Sequence, residues 1–171
     1  MKVVNPNTNI ITKRFEVAVS CNGFGFNLEV FIGLSGSVDP DTGLIRDLSL
    51  IKKEINQHIL DHIDHNDFSK ETSTDIFFLY LAQTIFSSTS DYYNNILTCE
   101  FCEIRDMNGN GAFKSSLAEN VIRTLPDTYN DGVYIPKICI SDPDLTFTEQ
   151  VYNVELFNGF KHKNYSEFKY E

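Results

Sequence analysis

The chain has 171 residues, 42% of them hydrophobic and 22% charged, a composition typical of a globular domain and unlike that of a disordered chain. Its net charge of −10 argues against a protein that holds nucleic acid by its phosphates or binds an anionic membrane surface. The acidic excess has two open interpretations, which are general solubility and a site for a cationic or amide-bearing ligand.

Targeting and redox signals in the chain are few. No apolar run approaches the roughly 20 residues that a membrane-spanning helix needs. The first twelve residues are polar and lack the apolar core of a signal peptide. The four cysteines are too sparse for a disulfide scaffold and suit a reducing compartment. We therefore expect a cytoplasmic protein that binds neither nucleic acid nor membrane.

The first elements predicted along the chain form a hairpin. Alternating residues predict a strand over 14–20, and residues 24–35 predict a second, longer strand. Between them lies Asn22-Gly23, a pair that tolerates the positive φ angles of a type I′ turn. The segment Asp39-Pro40-Asp41-Thr42-Gly43 predicts a further turn.

Two helices are predicted next. The first runs from Asp47, its expected N-cap, to about His62. Its predicted buried face is the apolar series Leu48, Ile51, Ile55, Ile59 and Ile63. The second begins near residues 72–75, runs to about Phe86 and is apolar nearly all round, which predicts a buried helix.

The rest of the chain predicts more strands. A strand is predicted over residues 96–104, followed by a glycine-rich turn at 108–111. Two further strands are predicted over 132–140 and 145–157, and a polar tail over 161–171. Two strands, two helices and then strands predict an α+β fold, an antiparallel sheet with both helices on one face. The predicted division is a polar N-terminal segment 1–13, a domain 14–114 and a C-terminal extension 115–171.

Several motifs in this order resemble the 6-pyruvoyltetrahydropterin synthase family, which includes the 6-carboxytetrahydropterin synthases. The strongest runs from Asp39 to Lys53 and is similar to the family's D-P-x-T-G-M-V-x-D-L-x-x-L-K-K. Asp64-His65 lies in a segment similar to L-D-H-x-x-L, residues 72–75 stand where the family has T-T-E-N, and Cys102-Glu103 stands at its strand ending in E-T.

The resemblance implies the tunnelling fold, in which the sheets of several subunits close into a barrel, as a homotrimer or homohexamer. It also implies a pterin substrate, a zinc ion held by three histidines, and a catalytic base built from Cys, Asp and His. Cys21, Asp64 and His65 are the residues that match the base in this chain. Glu103 matches the glutamate that anchors the pterin ring, and Thr74 and Asp75 would add hydrogen bonds to it.

The chain departs from the family where the zinc ligands stand. The family's second strand opens with His-Gly-His-Asn-Tyr, and this chain has Phe24-Gly25-Phe26-Asn27-Leu28. Phenylalanine offers no ligand atom, so we expect no metal and no cofactor, with Phe24 and Phe26 lining an apolar ligand pocket. The loop that carries the family's cysteine is also reduced to a tight hairpin, which would hold Cys21 away from the ring.

Each candidate residue also has a purely structural interpretation. Strand alternation would place Cys99, Phe101 and Glu103 on one face and Cys102 on the other, which argues against a Cys99-x-x-Cys102 metal site. Capping explains Thr74 and Asp75 equally well, and a helix C-terminus explains His65.

Histidines at other positions give one more metal hypothesis. His58 and His62 would lie one turn apart on a single helix, as in a two-histidine zinc helix, although a solvated helix flank explains them too. An intact zinc synthase would need His58, His62 or His162 to reach the pocket.

The sequence therefore supports two functions. The first is a protein resembling 6-pyruvoyltetrahydropterin synthase that binds a pterin or related purine-like ring without the family's zinc-dependent lyase chemistry, with any turnover of the lyase or epimerase type. The alternative is a non-catalytic oligomeric scaffold or interaction protein on the same fold. The environment of Glu103 discriminates between them, because ring binding needs an accessible carboxylate and a scaffold does not.

Overall fold

The computed structural model describes residues 10–68, 74–116 and 149–152. They form one antiparallel sheet of five strands in the order β1-β2-β3-β4-β5, with two α-helices between β2 and β3 in the chain. The elements are β1 Ile10–Cys21, β2 Phe24–Ser35, α1 Leu48–His58, α2 Thr74–Tyr93, β3 Thr98–Arg105, β4 Gly111–Ser115 and β5 Glu149–Tyr152.

The β1–β2 hairpin forms around the predicted turn. Asn22 and Gly23 have φ angles of 53° and 83°, the left-handed values that a type I′ turn requires, and Cys21 pairs directly with Phe24. The pairing continues without interruption to Ile10 and Ser35. β1 is therefore longer than the predicted strand 14–20, because its N-terminal residues find partners along the long second strand.

A β-bulge changes which faces the β3 side chains occupy. The pairing of β2 with β3 shifts between Gly33 and Leu34, so that Gly33 lies opposite Phe101 and Leu34 lies opposite Cys99. Glu100 is the extra residue, and an extra residue moves every side chain before it to the other face. Cys99 and Cys102 consequently share the helix-covered face, and the prediction that they face opposite ways is wrong.

The first helix begins as predicted and ends early. The carboxylate of Asp47 accepts hydrogen bonds from the backbone N–H of Ser49 at 2.8 Å and from the Ser49 hydroxyl at 2.6 Å, which confirms it as the N-cap. These bonds lower the pKa of the Asp47 carboxyl. The α-helix stops at His58, and the chain continues as a 3-10 turn over Leu60–His62.

Both helices pack on one face of the sheet and form its hydrophobic core. The predicted α+β fold with two helices on one face is therefore confirmed. The core joins alternate residues of the strands to the helices, among them Val17, Val19, Leu28, Val30, Ile32, Ile51, Ile55, Phe78, Leu81 and Ile85. The prediction that the second helix is buried all round is wrong, since Tyr80 is 53% exposed. Leu48, predicted on the buried face of the first helix, is also exposed, at 41%.

A polar network ties the 39–47 turn region to both helices. The guanidinium of Arg46 donates two hydrogen bonds to the carboxylate of Glu54, at 3.0 and 2.9 Å. The hydroxyls of Tyr92 and Tyr93, near the end of α2, donate to the same carboxylate at 3.1 and 3.2 Å. The Arg46 guanidinium holds the pKa of the Glu54 carboxyl below its usual value despite partial burial.

The opposite face of the sheet is also buried over its centre. Phe31, Phe101 and Phe113 are at most 1% exposed, and the Phe101 and Phe113 rings stack with centroids 5.7 Å apart. Gly33 lies under Phe101, because a β-carbon at this glycine would stand only 2.1 Å from the ring. We call this side of the sheet the outer face.

Most of the predicted C-terminal extension lies outside the described residues. This includes the predicted strand 132–140, the polar tail 161–171 and His162. The four residues of β5 fall within the predicted strand 145–157 and pair with β4. None of the helices in the described ranges combines the length and the hydrophobicity that a membrane crossing requires.

Candidate functional site

The segment after the 3-10 turn lies along the outer edge of β1. The N–H of His65 donates to the carbonyl of Ala18, the N–H of Ser20 donates to the carbonyl of Asn66 at 3.0 Å, and the N–H of Phe68 donates to the carbonyl of Ser20 at 2.7 Å. These bonds join residues more than 45 positions apart in the chain. They fix the position of Asp64 and His65 relative to the sheet.

Asp64 and His65 lie side by side on this edge, and we call the two residues the dyad. Oδ1 of Asp64 accepts from the backbone N–H of Ala18 at 2.8 Å, and Oδ2 lies 3.0 Å from Nδ1 of His65. His65 adopts a φ of 63°, and its side chain is 81% exposed. The carboxylate thus lies next to an imidazole that solvent and ligands can reach.

The dyad borders an open pocket of about 640 Å³. We call it the dyad pocket, and its lining is Arg14, Glu16, Val17, Ala18, Asn27, Leu28, Glu29, Asp64, His65 and Met107. It brings together β1, β2, the dyad and the turn between β3 and β4. Its volume lies within the roughly 300–1,000 Å³ of small-molecule sites.

Three charged residues of this pocket were not identified from the sequence. Arg14 donates from Nε to Glu29 at 2.6 Å and from Nη2 to Glu16 at 2.7 Å, which raises the pKa of its guanidinium. Glu16 and Glu29 are cross-strand partners. Arg14 and Glu16 stand two apart on a strand and so share a face, but the third member depends on the hairpin register.

Glu103 lies on the outer face, one strand beyond the dyad pocket. Its side chain is fully buried, and Oε1 accepts from Nη2 of Arg105 at 3.0 Å. The Arg105 guanidinium also lies 4.6 Å from the centre of the Phe31 ring. Glu103 does not line the dyad pocket.

Cys21 and the two phenylalanines of the hairpin lie on the helix-covered face. Cys21 is only 3% exposed. Phe26 packs against Phe77 and Phe78, with ring centroids 6.3 and 5.3 Å away, while Phe24 near the turn is 68% exposed. The dyad pocket is lined by none of the three.

The positions that resemble the family's zinc ligands do not fit a zinc ion. Phe26 contributes only carbon atoms to an aromatic cluster, and zinc takes nitrogen, sulfur or oxygen ligands. Across the part of the chain that the structure describes, no three His, Cys, Asp or Glu side chains are grouped as a metal site would need.

The structure also bears on the two other metal hypotheses, which concern the pair His58 and His62 and the pair Cys99 and Cys102. Because α1 ends at His58 and a 3-10 turn follows, His58 and His62 are not one turn apart on a single α-helix, and that prediction is wrong. His58 instead packs edge-on against Tyr92 at 4.7 Å. Cys99 and Cys102 are both buried, and burial raises the pKa of each thiol.

Thr74 and Asp75 occupy the first turn of α2, where the sequence predicted a helix start. Their side chains lie outside the described part of the structure. The expectation that they hydrogen-bond a ring therefore remains a prediction.

The known proteins that this chain is similar to carry the name of the family that its motifs resemble. The human 6-pyruvoyl tetrahydrobiopterin synthase is 32% identical over 59 residues, which are 34% of this chain and 41% of that protein. The enzyme of the same name from Poecilia reticulata is 36% identical over 59 residues, 33% of this chain and 40% of that one. These similarities confirm the resemblance to 6-pyruvoyltetrahydropterin synthases, and the chain spans about two fifths of the length of the curated relatives it matches.

Solved structures give a similar list of names at low identity. The Caenorhabditis elegans 6-pyruvoyl tetrahydropterin synthase is 18% identical, with a TM-score of 0.45, over 58% of this chain and 89% of that one. The Plasmodium falciparum enzyme is 12% identical, with a TM-score of 0.39, over 63% of this chain and 91% of that one. No family model matches the chain.

Proposed function

We propose that this chain is a cytoplasmic protein similar to 6-pyruvoyltetrahydropterin synthases that binds a pterin or related purine-like ring in the dyad pocket, without zinc. The observation that carries the proposal is the Asp64–His65 dyad, held on β1 by Ala18 and open to a pocket of about 640 Å³. The curated relatives that the chain matches carry synthase names, which supports a pterin-like ring as the ligand.

The dyad suits proton transfer to or from a bound ligand. Nδ1 of His65 lies 3.0 Å from Oδ2 of Asp64. In the proposed mechanism Nδ1–H donates to this carboxylate, Nε2 keeps its lone pair and accepts a proton, and the carboxylate stabilises the imidazolium that results. A positioned base of this kind contributes typically 10²–10⁴-fold to a rate. Turnover, if the ligand is a substrate, is proposed to be of the lyase or epimerase type that the resemblance implies, with His65 as the base and Asp64 as its positioning residue.

Loss of zinc chemistry is part of the same proposal. It is supported by Phe24 and Phe26 at the positions that resemble the family's ligands, and by the aromatic packing of Phe26. Protein purified without added metal should contain well below one zinc per chain. One equivalent of tightly held zinc by elemental analysis would contradict this part.

A ring-shaped homotrimer or homohexamer is the proposed assembly. β1 and β5 are the two edges of the described sheet, and edge strands tend to pair with another chain. Residues 65–68 already occupy the β1 edge at Ala18 and Ser20, so the proposed pairing uses the part of β1 before Ala18. Joining β1 of one copy to β5 of the next would close a ring around symmetric subunits. Light scattering should give a multiple of three subunits, and a monomer at micromolar concentration would contradict the ring.

Calorimetry with neopterin, biopterin and a guanine derivative tests the binding proposal. His65→Asn removes the imidazole and tolerates the positive φ, so affinity should fall roughly three- to tenfold with the loss of one hydrogen bond. His62→Asn is the matched control, since His62 is exposed and does not line the pocket, and it should leave affinity unchanged. No binding to the wild type at millimolar ligand would overturn the proposal.

Glu103 offers a sharper test of where the ring lies. If its carboxylate anchors the ring through two charge-assisted bonds, Glu103→Gln should weaken binding about ten- to hundredfold. Unchanged affinity would place the ring wholly in the dyad pocket. Cys21→Ala is the control, and it should change affinity little because the thiol is buried on the other face.

The scaffold function is the second candidate, and one observation favours it. The Glu103 carboxylate is buried in an ion pair with Arg105 rather than open to a ligand. A scaffold would form the oligomer and bind none of the three ring compounds. Ring formation by light scattering together with a flat calorimetric titration would select it over the binding function.

A further inference from the structure

Three asparagines in the described part of the chain are followed directly by glycine. They are Asn22, Asn108 and Asn110, and a further such pair at 158–159 lies outside the described residues. Glycine has no side chain to shield its backbone nitrogen, so in an Asn-Gly pair this nitrogen reaches the preceding carboxamide easily. The surroundings of each asparagine then decide which pairs react in the folded protein.

Asn108 has the least restrained carboxamide of the three. It lies at the exposed tip of the turn between β3 and β4, and its φ is not among the positive values of the described residues. Its backbone N–H donates to Oδ1 of Asp106 at 2.8 Å, but within the described residues its side chain makes no hydrogen bond. The N–H of Gly109 donates to the carbonyl of Asp106 at 3.3 Å, which is long for such a bond.

Asn110 lies two residues later in the same turn, and its side chain is held in place. Nδ2 donates to Oδ2 of Asp106 at 3.0 Å, and the backbone N–H donates to Oδ1 at 2.8 Å. Its carbonyl also accepts from the N–H of Asp106 at 2.8 Å. Bringing this carboxamide onto the nitrogen of Gly111 would break a hydrogen bond to a charged group, which slows the approach roughly tenfold or more.

Asn22 is exposed, but its backbone restrains it. It has a φ of 53° in the turn between the directly paired residues Cys21 and Phe24. For a residue other than glycine, the left-handed region allows only a small range of ψ. Attack by the nitrogen of Gly23 needs rotation about ψ, so it requires the end of the hairpin to open first.

We propose that Asn108 is a site of spontaneous deamidation in the native protein, and that Asn22 and Asn110 are protected by their surroundings. The nitrogen of Gly109 loses its proton to a solvent base and forms a bond to Cγ of Asn108. The Cγ–Nδ2 bond breaks, and the nitrogen leaves as ammonia with a proton from solvent. Water then opens the resulting succinimide ring at either carbonyl and yields aspartate or isoaspartate, so water is the only co-reactant.

The reaction would change the turn that bounds the dyad pocket. Met107, the neighbour of Asn108, lines this pocket. Both products place a new negative charge at position 108, and isoaspartate also inserts an extra carbon into the backbone of the turn. The proposal does not depend on ring binding, because it concerns only the chemistry of the turn.

Peptide mass spectrometry of protein incubated at pH 8 and about 37 °C tests the proposal. Trypsin releases residues 15–46 and 106–114, which contain all three sites, and fragmentation of the second peptide separates position 108 from 110. In the native protein Asn108 should convert roughly tenfold faster than Asn110, and faster than Asn22. In urea the three rates should converge, and a zero-time sample corrects for conversion during digestion.

A variant of Asp106 tests the cause of the protection. Asp106→Asn replaces the Oδ2 acceptor by an amide donor, so conversion at Asn110 should rise towards that at Asn108. Asp91→Asn makes the same change in net charge at an exposed position in α2, and it should leave all three rates unchanged.

Three results would overturn the proposal. The first is native conversion of Asn22 or Asn110 at the rate of Asn108. The second is native protein in which Asn108 does not convert although it converts in urea. The third is unchanged protection of Asn110 in Asp106→Asn. The ring-binding function is decided separately by calorimetry and stands or falls without these rates.

Discussion

Replacing Glu54 by glutamine should destabilise the protein and remove part of its dependence on pH. The wild-type carboxylate accepts two hydrogen bonds from the Arg46 guanidinium, at 3.0 and 2.9 Å, and further bonds from Tyr92 and Tyr93. Glutamine keeps the shape of the side chain but loses the charge. It also turns one acceptor atom into a donor, which then faces donors of the guanidinium or a tyrosine hydroxyl.

The free energy of unfolding that Glu54→Gln should remove lies between the contribution of an exposed ion pair and that of a buried one. The side chains of Arg46 and Glu54 are 28% and 13% exposed. Exposed ion pairs contribute about 0.2–1 kcal/mol, and hydrogen bonds to charged groups contribute about 1.5–3 kcal/mol. We therefore expect Glu54→Gln to lower the free energy of unfolding by about 1.5 kcal/mol, which corresponds to about 3–6 °C in Tm for a chain of this length.

The sign of the pH dependence follows from the direction of the pKa shift. Arg46 lowers the pKa of Glu54 in the folded state below the ordinary value of 4.5. The stabilisation from this group is therefore complete above pH 4.5 and is lost as the pH falls through the lower, folded-state pKa. The variant should lack this contribution, so the stabilities of wild type and variant should converge on acidification.

Urea denaturation between pH 7 and pH 3 measures both effects. Glu16→Gln is the matched control, because Glu16 also pairs with an arginine but is 71% exposed, and it should cost less than about 0.5 kcal/mol. In an Arg46→Gln background the effect of Glu54→Gln should become smaller, because only the bonds from Tyr92 and Tyr93 remain. A cost that is equal at pH 7 and pH 3, or unchanged without Arg46, would refute the reasoning.

Two further predictions concern the sheet. Gly33→Ala places a β-carbon 2.1 Å from the Phe101 ring and should destabilise the protein by about 1–3 kcal/mol in urea denaturation, and Phe101→Leu in the same chain should recover part of this loss. Full stability of the single Gly33 variant would show that the ring does not lie over the glycine. Cys99 and Cys102 should resist a thiol reagent in the native protein and react only in denaturant, because burial raises the pKa of both thiols. Rapid labelling of either residue at neutral pH would contradict their placement in the core.

Several parts of the fold could be predicted from the residue types of short segments. The Asn22-Gly23 turn was predictable because few residue pairs tolerate two positive φ angles, and both are observed here. Asp47 was predictable as a cap because its short carboxylate reaches the first free N–H groups of the helix. The apolar periodicity of strands and helices likewise indicated an α+β protein before any pairing was known.

The candidate site was only partly predictable. Asp64 and His65 were identified from a motif, but their attachment to Ala18 joins residues 46 apart and has no local signal. Arg14 and Glu16 meet Glu29 only because the hairpin register aligns them.

The turn, the cap, the apolar face of each element and the identity of the dyad could each be predicted from a short segment of the chain. The bulge at Glu100, which brings Cys99 and Cys102 to one face, and the burial of Glu103 against Arg105 depend on contacts between segments and could not. The physical reason is that φ and ψ preferences act within a few residues, whereas strand register, bulges and buried ion pairs depend on partners that folding brings from distant parts of the chain.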